Sequence, residues 1–391
     1  LYEFEGIGTP NRTQNGHPES LKIINSFVWL PQDIANLGDS KEDYRWRFEI
    51  KNNRDRDDYS RIIEMAKAYS LTGSALEEAI FEIMDVDQQM RTFAMMSLQG
   101  VYDIYTVLST QNLAFYVHPE TNKVLMFPWD WDQSWWNPTS APLHGTAHAN
   151  MTKIFNIPRV ERLHLGHLHD LIQTTFNTTY MAQWTSHFGS LVGQSYSGNR
   201  NYIKDRGNYV LSRLPSEVPF TITTSDPHNA GAATLATIQG TGWINVRNIR
   251  LSGNDQPLDV FWSVGGGSSF ANTWQVKIPL SAGTDSFTLE AYDYQDALIA
   301  SDTVQVTSTT PNPVSDGLRI SEINYNPSDP TTTELATLGN LDNDDFEFIE
   351  VTNISGQTIN LLGTRFINGV DFVFPNLQLS PGERGVVVQN R

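Results

Sequence analysis

The chain of 391 residues contains no cysteine. Disulfide cross-links and thiolate metal ligands are therefore excluded from its stability and its chemistry. The absence is neutral as to compartment, because exported bacterial proteins often do without disulfides. No apolar run approaches the ~20 residues of a membrane-spanning helix, so no span is expected. Basic residues are scarce: 26 Lys+Arg stand against 44 Asp+Glu, a formal net charge of −18. The deficit is uneven, with −5 over residues 1–215 and −13 over 216–391. Neither part carries a basic patch, which disfavours a nucleic-acid partner. There is no repeat array. There is also no signal peptide, and the first residue is Leu1 rather than Met, so a fragment of a longer polypeptide is expected.

What is present divides by texture, and the length suits about two to four domains. Residues 1–50 are mixed, with Tyr44–Ile50 alternating like a half-buried strand. Asp57 and Asp58 close a charged loop and sit where they favour a helix dipole. Helical stripes follow: Ile62, Ile63, Ala66 and Tyr69, then a capping box at Ser74–Glu77 with Leu76, Ile80 and Ile83 inward. Asp85 or Asp87 caps a third helix, which Gly100 stops. Residues 101–111 read as a loop or frayed helix carrying a lone Asp103, and helical period returns from Pro158 to Pro215. Residues 216–309 turn to Thr, Ser and Gly with alternating strands at Trp243–Leu251, Trp274–Pro279, Ser286–Tyr292 and Thr303–Thr307, which predicts a β-sandwich. After a linker at Thr307–Pro313, residues 314–391 predict a second β module with strands at Leu318–Tyr325, Asp345–Val351 and Val370–Pro375.

The chemically pointed stretch runs from Asn112 to Asp132. Two apolar segments flank the turn His118-Pro-Glu-Thr-Asn122, so a β-hairpin is expected, ending in Pro128-Trp-Asp-Trp-Asp132. Asp130 and Asp132 lie two residues apart between tryptophans. Like charges this close call for a cation or a shared proton, and carboxylates at a strand exit suit a hard ion such as Mg²⁺. The competing reading is a buried turn braced by Asp hydrogen bonds and Trp packing. Two lesser metal readings stand beside it. His164 and His167 share a helix face and could form a ligand pair, set against packed or exposed histidines. The acidic loop Leu341–Asp345 could take Ca²⁺ but lacks EF-hand spacing, set against a solvated insertion.

Asn112, Phe115, Tyr116 and the Pro128–Asp132 motif resemble the spore-coat protein H (CotH) kinase-like family. Asp85–Asp87, Gly100–Asp103 and the helices around Arg162–Asp170 and Tyr180–Gln194 are similar to it as well. The resemblance covers residues 1–215 and implies the mostly helical C-terminal lobe, with a β-hairpin, of an α+β atypical kinase-like fold. The N-terminal lobe that holds ATP is then expected before Leu1, and this stretch alone is not expected to turn over ATP well. Lys22, Arg45 and Arg47 are poor substitutes for its cations. Residues 216–309 resemble an Ig/fibronectin-like module. Residues 314–391 resemble a lamin-tail domain, incomplete at its C-terminal end. The fold class expected is thus multi-domain, α+β followed by two all-β sandwiches.

The family implies an exported bacterial protein, extracellular or at the cell surface, that transfers the γ-phosphoryl of ATP to protein hydroxyls with Mg²⁺ or Mn²⁺. By resemblance Asp130 is the metal-binding Asp, Asn112 a second ligand, Asp132 a supporting or second-metal carboxylate and Asp103 the catalytic base. The family's base usually precedes the Asn by about five residues, as in ordinary kinase catalytic loops, whereas Asp103 precedes Asn112 by nine. The loop then carries an insertion, or the base is lost. Two other readings remain: a catalytically degenerate surface or matrix scaffold, and a metal hydrolase built on Asp130, Asp132 and the histidines.

Overall fold

The computed structural model describes residues 1–4, 12–14, 17–19, 33–45, 47–107, 112–265, 268, 270–280, 282–310, 312–338, 341–361, 364–366 and 369–388. Lys22 and residues 108–111 lie outside this set. A helix-rich part with a four-stranded sheet comes first, then a pair of four-stranded sheets, then a smaller β part.

In the helix-rich part the apolar stripes become core. The Ser60–Tyr69 helix buries Ile62, Met65, Ala66 and Tyr69, and the Gly73–Ile83 helix buries Leu76, Ile80 and Ile83. These spacings of three and four keep one face inward. The Val86–Gln99 helix is capped by Asp85, whose carboxylate accepts the Gln88 N–H, and it ends at Gly100 in the left-handed region (φ 62°). The expected capping box at Ser74 does not form. The chain enters that helix through Gly73 at φ +63°, which places Ser74 inside the first turn. The strand expected over Tyr44–Ile50 is confined to Phe48–Ile50. Tyr44 instead closes a short helix, Lys41–Tyr44, where Arg45 bonds back to Glu42. Asp57 caps no helix; it pairs with Arg45 and Lys41.

The hairpin forms as expected, with Leu113–Val117 and Val124–Pro128 paired antiparallel from Leu113↔Pro128 to Val117↔Val124. Its turn is closed by the His118 N–H donating to Lys123 O at 2.9 Å, with Asn122 left-handed. It sits at one edge of an antiparallel sheet in the order Phe48–Ile50, Tyr2–Phe4, Leu113–Val117, Val124–Pro128. Leu113, Phe115, Val124 and Met126 alternate inward and are buried. Gln88 and Thr92 fix it to the Val86–Gln99 helix. Gln88 Nε2 and Thr92 Oγ1 donate to Met126 O, and Gln88 Oε1 accepts the Met126 N–H.

The second part pairs Asn248–Leu251, Gly283–Tyr292, Leu298–Ser308 and, in parallel, His228–Gly231. Its other sheet holds Phe261–Val264, Ala271–Pro279, Leu235–Thr241 and Thr221–Ile222. Ile249, Leu289 and Val304 from the first sheet meet Ile238, Trp262 and Trp274 from the second in one core, the arrangement of a sandwich. The strand expected over Trp243–Leu251 starts only at Asn248. The carbonyls of Trp243 and Val246 face Arg162, which lies on the Pro158–Thr174 helix, and are lost to a β ladder.

Arg162 is the main tie between the two parts. It is 3% exposed and donates to the carbonyls of Gly242 (3.4 Å), Ala271 (2.8 Å), Val246 (2.9 Å) and Trp243. Its guanidinium carbon lies 3.3 Å from the Trp262 ring centroid. Asp87 adds a second bridge, accepting from His167 Nε2 (2.9 Å) and Arg247 Nη2 (2.6 Å). Leu165, Leu168 and Leu171 share a core with Trp243, Ile244 and Phe270.

The third part has a sheet of Leu318–Asn324, Phe348–Asn353 and Arg384–Val388 over a core that includes Val351, Ile359, Phe374 and Leu379. The strand expected to open at Asp345 opens at Phe348, because Asn343–Phe346 is a 3₁₀ turn in which Asp345 accepts the Asp342 N–H at 2.8 Å. The segment expected as a strand over Val370–Pro375 is reduced to Phe372–Val373. No described helix is long and apolar enough to cross a membrane.

Arg162→Met should cost about 3–5 kcal/mol, because it leaves several buried carbonyls unbonded. The readout is the denaturant midpoint followed by fluorescence; a loss below about 1 kcal/mol would show the clamp to be incidental.

Candidate functional site

The candidate residues are assembled at the open end of the hairpin by three backbone-directed bonds. Asn112, 1% exposed, has a left-handed backbone (φ 64°), and its carbonyl accepts the Trp129 N–H at 3.0 Å. That bond places Asp130 one residue beyond the partner of Asn112. Asn112 Nδ2 donates to the carbonyl of Asp103 at 2.9 Å. The Tyr102 N–H donates to Gln133 O at 3.3 Å, which lays the residue after Asp132 beside the residue before Asp103. The backbones of Asp103, Asn112, Asp130 and Asp132 are thereby brought to one end of the hairpin, while the three carboxylates do not group as ligands of one metal ion. The nine-residue interval between Asp103 and Asn112 is spanned by the Asn side chain itself.

Their surroundings differ. Asp103 is buried at 4% exposure. Asp130 and Asp132 are exposed, and Asp130 is left-handed (φ 50°), a conformation that Asp and Asn tolerate better than other side chains. Among the described residues neither of these two carboxylates has a hydrogen bond or ion pair. The tryptophans do not grip them. Trp129 is 56% exposed, and Trp131 turns the other way to pack against the core of the helix-rich part. Water therefore solvates the paired charges, and the strain expected from a buried pair is absent. The buried-turn reading is set aside for Asp130 and Asp132 on the same ground.

Asp130 and Asp132 offer exposed carboxylate oxygens of the kind a hard divalent cation prefers, whereas the Asn112 carboxamide is buried and its Nδ2 is engaged by the Asp103 carbonyl. The phosphates of a nucleotide are less well served. No described Lys or Arg pairs with Asp130 or Asp132. Arg45 is held by Glu42 and Asp57, and Arg47 Nη1 donates to Asp33 O. Arg206, 1% exposed, donates to the carbonyls of Thr139, Ala141 and Pro142 and to Ser97 Oγ. It is thus committed to the loop that follows Asp132, a role the sequence did not signal. That loop also hangs on the Val86–Gln99 helix, with Trp135 N–H to Gln99 O at 2.8 Å and Asn137 N–H to Gly100 O at 3.0 Å. A side chain at Gly100 would collide with the Tyr202 hydroxyl. A cavity of about 300 Å³ lies beside the Asp103 turn, lined in part by Ile104, Thr106, Asn137, His144 and Arg206.

The histidine pair does not assemble a metal site. His164 Nε2 bonds to Leu143 O at 3.0 Å, while His167 Nε2 bonds to Asp87. Among the described residues no three His, Asp or Glu side chains group as metal ligands, which leaves the hydrolase reading without its ligand set. Burial first of all pushes the His164 pKa down to about 3, and burial likewise lowers those of His144, His148 and His169.

Residues 30–209, somewhat less than half of the chain, match the family model described as CotH kinase protein. All four candidate residues fall inside that match. No curated protein matches the chain. Among solved structures, fibronectin(III)-like modules of Clostridium thermocellum CbhA are 18% identical, with 24% of this chain and 99% of that chain covered and a TM-score of 0.17. The SrpA adhesin of Streptococcus sanguinis is 16% identical over 36% of this chain and 89% of that chain, with a TM-score of 0.18. Likenesses this slight bear on neither fold nor function.

The depressed His164 pKa gives a pH prediction. Below about 6.5 the unfolded state binds a proton that folded His164 refuses until about pH 3, so stability falls as pH drops through that window. The expected slope from this group is about 1.4 kcal/mol per pH unit. Urea midpoints at pH 7, 6 and 5 should fall less steeply in His164→Phe; equal slopes in the two proteins would contradict it.

Proposed function

We propose that residues 30–209 form a CotH-type phosphotransfer domain in which Asp130 and Asn112, supported by Asp132, hold Mg²⁺ or Mn²⁺ and Asp103 serves as base toward a protein hydroxyl. The observation that supports this reading is the set of backbone-directed bonds that join the Asp103 turn, Asn112 and the Trp129–Gln133 segment at the hairpin base, inside the stretch that matches the family model. When bound, the cation would neutralise charge on the transferring phosphoryl group. The chain's own contribution is positional. The hairpin ties Asp130 to Asn112, and the Asn112 carboxamide holds the turn that presents Asp103. ATP is the substrate in this proposal, and the cation for its phosphates is to be supplied from outside the described hairpin base. The proposal extends to an extracellular or cell-surface setting, with the two β parts as Ig-like and lamin-tail-like accessory modules and Ca²⁺ as a ligand for the Leu341–Asp345 loop.

One observation favours the alternative of a degenerate surface scaffold: Asp103 is buried, so a protein hydroxyl reaches its carboxylate only if the turn opens. The two readings separate in a phosphotransfer assay on the full-length gene product with γ-labelled ATP. The kinase reading predicts Mg²⁺-dependent labelling that drops at least about 100-fold in Asp130→Ala, since a metal ligand contributes several kcal/mol to the transition state. Asp103→Asn should lower turnover while leaving metal binding in place. Labelling that is absent from the unaltered protein, or unchanged in Asp130→Ala, would favour the scaffold.

A further inference from the structure

A second cavity, of about 230 Å³, lies where the helix-rich part meets the first sandwich, away from the hairpin base. Its walls include Arg159 and Arg162 from the Pro158–Thr174 helix, and Arg247, Asn248, Trp262 and Tyr294 from the sandwich. Three arginines line one small space, and no carboxylate lines it. The charge they bring is only partly balanced. Arg162 is bonded to carbonyl oxygens alone, so its full positive charge is buried without a counter-ion. Arg159 reaches Glu77 at a long 3.3 Å through one nitrogen and otherwise lies over the ring of Phe81. Arg247 uses Nη2 for Asp87, which it shares with His167. Further nitrogens of Arg159 and Arg247, and the Asn248 carboxamide, have no hydrogen-bond or ion-pair partner among the described residues, although Arg159 also lies by the Phe261 ring and Arg247 by that of Tyr294. A buried, unpaired cation is costly, and an anion placed beside it recovers part of that cost. Guanidinium forks are suited to planar or tetrahedral oxyanions, and a pocket at a domain boundary is a common place for a ligand.

We propose that this interdomain cavity is a binding site for a small oxyanion, a phosphate or carboxylate group, received by Arg159, Arg247 and Asn248 in the field of the buried Arg162. The space, about 230 Å³, suits a group of few atoms. The bound anion would bridge the Pro158–Thr174 helix to the sandwich strand at Asn248–Leu251 and so add to the contact between the two parts. This site shares no residue with the hairpin base and stands or falls independently of the phosphotransfer reading.

The test uses the whole chain and two probes, inorganic phosphate and acetate, each against sodium chloride at matched ionic strength. Melting temperature and ³¹P line width of phosphate are followed through a titration. The site predicts a saturable rise in melting temperature and saturable broadening with phosphate. Both should weaken at least tenfold in apparent affinity in the Arg159→Gln/Asn248→Leu double variant, which alters only cavity-lining groups outside the Arg162 clamp. Competition by acetate would support the same site and assign it to carboxylates as well; phosphate binding without acetate competition would narrow it to phosphate. A response that follows ionic strength alone, or saturable binding unchanged in the double variant, overturns the proposal. Asp130→Ala should bind phosphate as the unaltered protein does, and loss of this binding in that variant would place the anion at the hairpin base instead.

Discussion

The hydrogen bond from Trp129 N–H to Asn112 O closes the hairpin, and the candidate site depends on it. Antiparallel pairing makes positions far apart in sequence into neighbours, and a slip of one residue would send every inward side chain to the other face. Here register is held from both sides. Leu113, Phe115, Val124 and Met126 must face the core, and Gln88 and Thr92 hold the backbone of Met126. With register fixed, Asn112 and Asp130 emerge together at one end. Each then turns left-handed, Asn112 at φ 64° and Asp130 at φ 50°. Asn and Asp are among the residue types that best tolerate this backbone.

The second organising feature is the buried guanidinium of Arg162. Its bonds run from a helix of the matched stretch to carbonyls on four residues of the sandwich. A β module that merely followed on a flexible tether would not need such a contact. The shared core and the Asp87 bridge point the same way. The Pro158–Thr174 helix therefore has one face toward the Val86–Gln99 helix, which holds the hairpin at Met126, and another toward the sandwich. Mechanical continuity between the two follows from packing alone, because closely packed interiors transmit displacement.

Local patterns carried most of the elements. The hairpin, the stripes at Ile62–Tyr69 and Leu76–Ile83, and the Asp85 cap with its Gly100 stop all depend on residues near one another in sequence. Two of the misreadings trace to an arginine whose bonds link the strand pattern to groups outside it. Trp243-Ile-Asn-Val-Arg alternates as a strand does, yet Arg162, some eighty residues away, takes its carbonyls. Tyr44–Arg47 alternates too, yet Arg45 is drawn to Glu42 and Asp57. At the site, the proximity of Asn112 to Asp130 was legible from antiparallel geometry. The link from Asn112 to Asp103 was not, since it rests on one side-chain amide crossing to a backbone carbonyl. Nor was the solvation of Asp130 and Asp132 legible, because neighbouring tryptophans suggest burial while Trp129 in fact faces water.

Direct observation of metal binding bears most closely on the claim that the hairpin base is a cation site. Mn²⁺ titrated into the protein and followed by the loss of its free electron paramagnetic resonance signal gives stoichiometry and affinity without requiring turnover. One saturable site in the unaltered protein is predicted, weakened at least tenfold by Asp130→Asn and by Asn112→Leu and unaffected by Arg159→Gln. Binding that is absent from the unaltered protein, or that persists undiminished in both hairpin variants, would contradict the account.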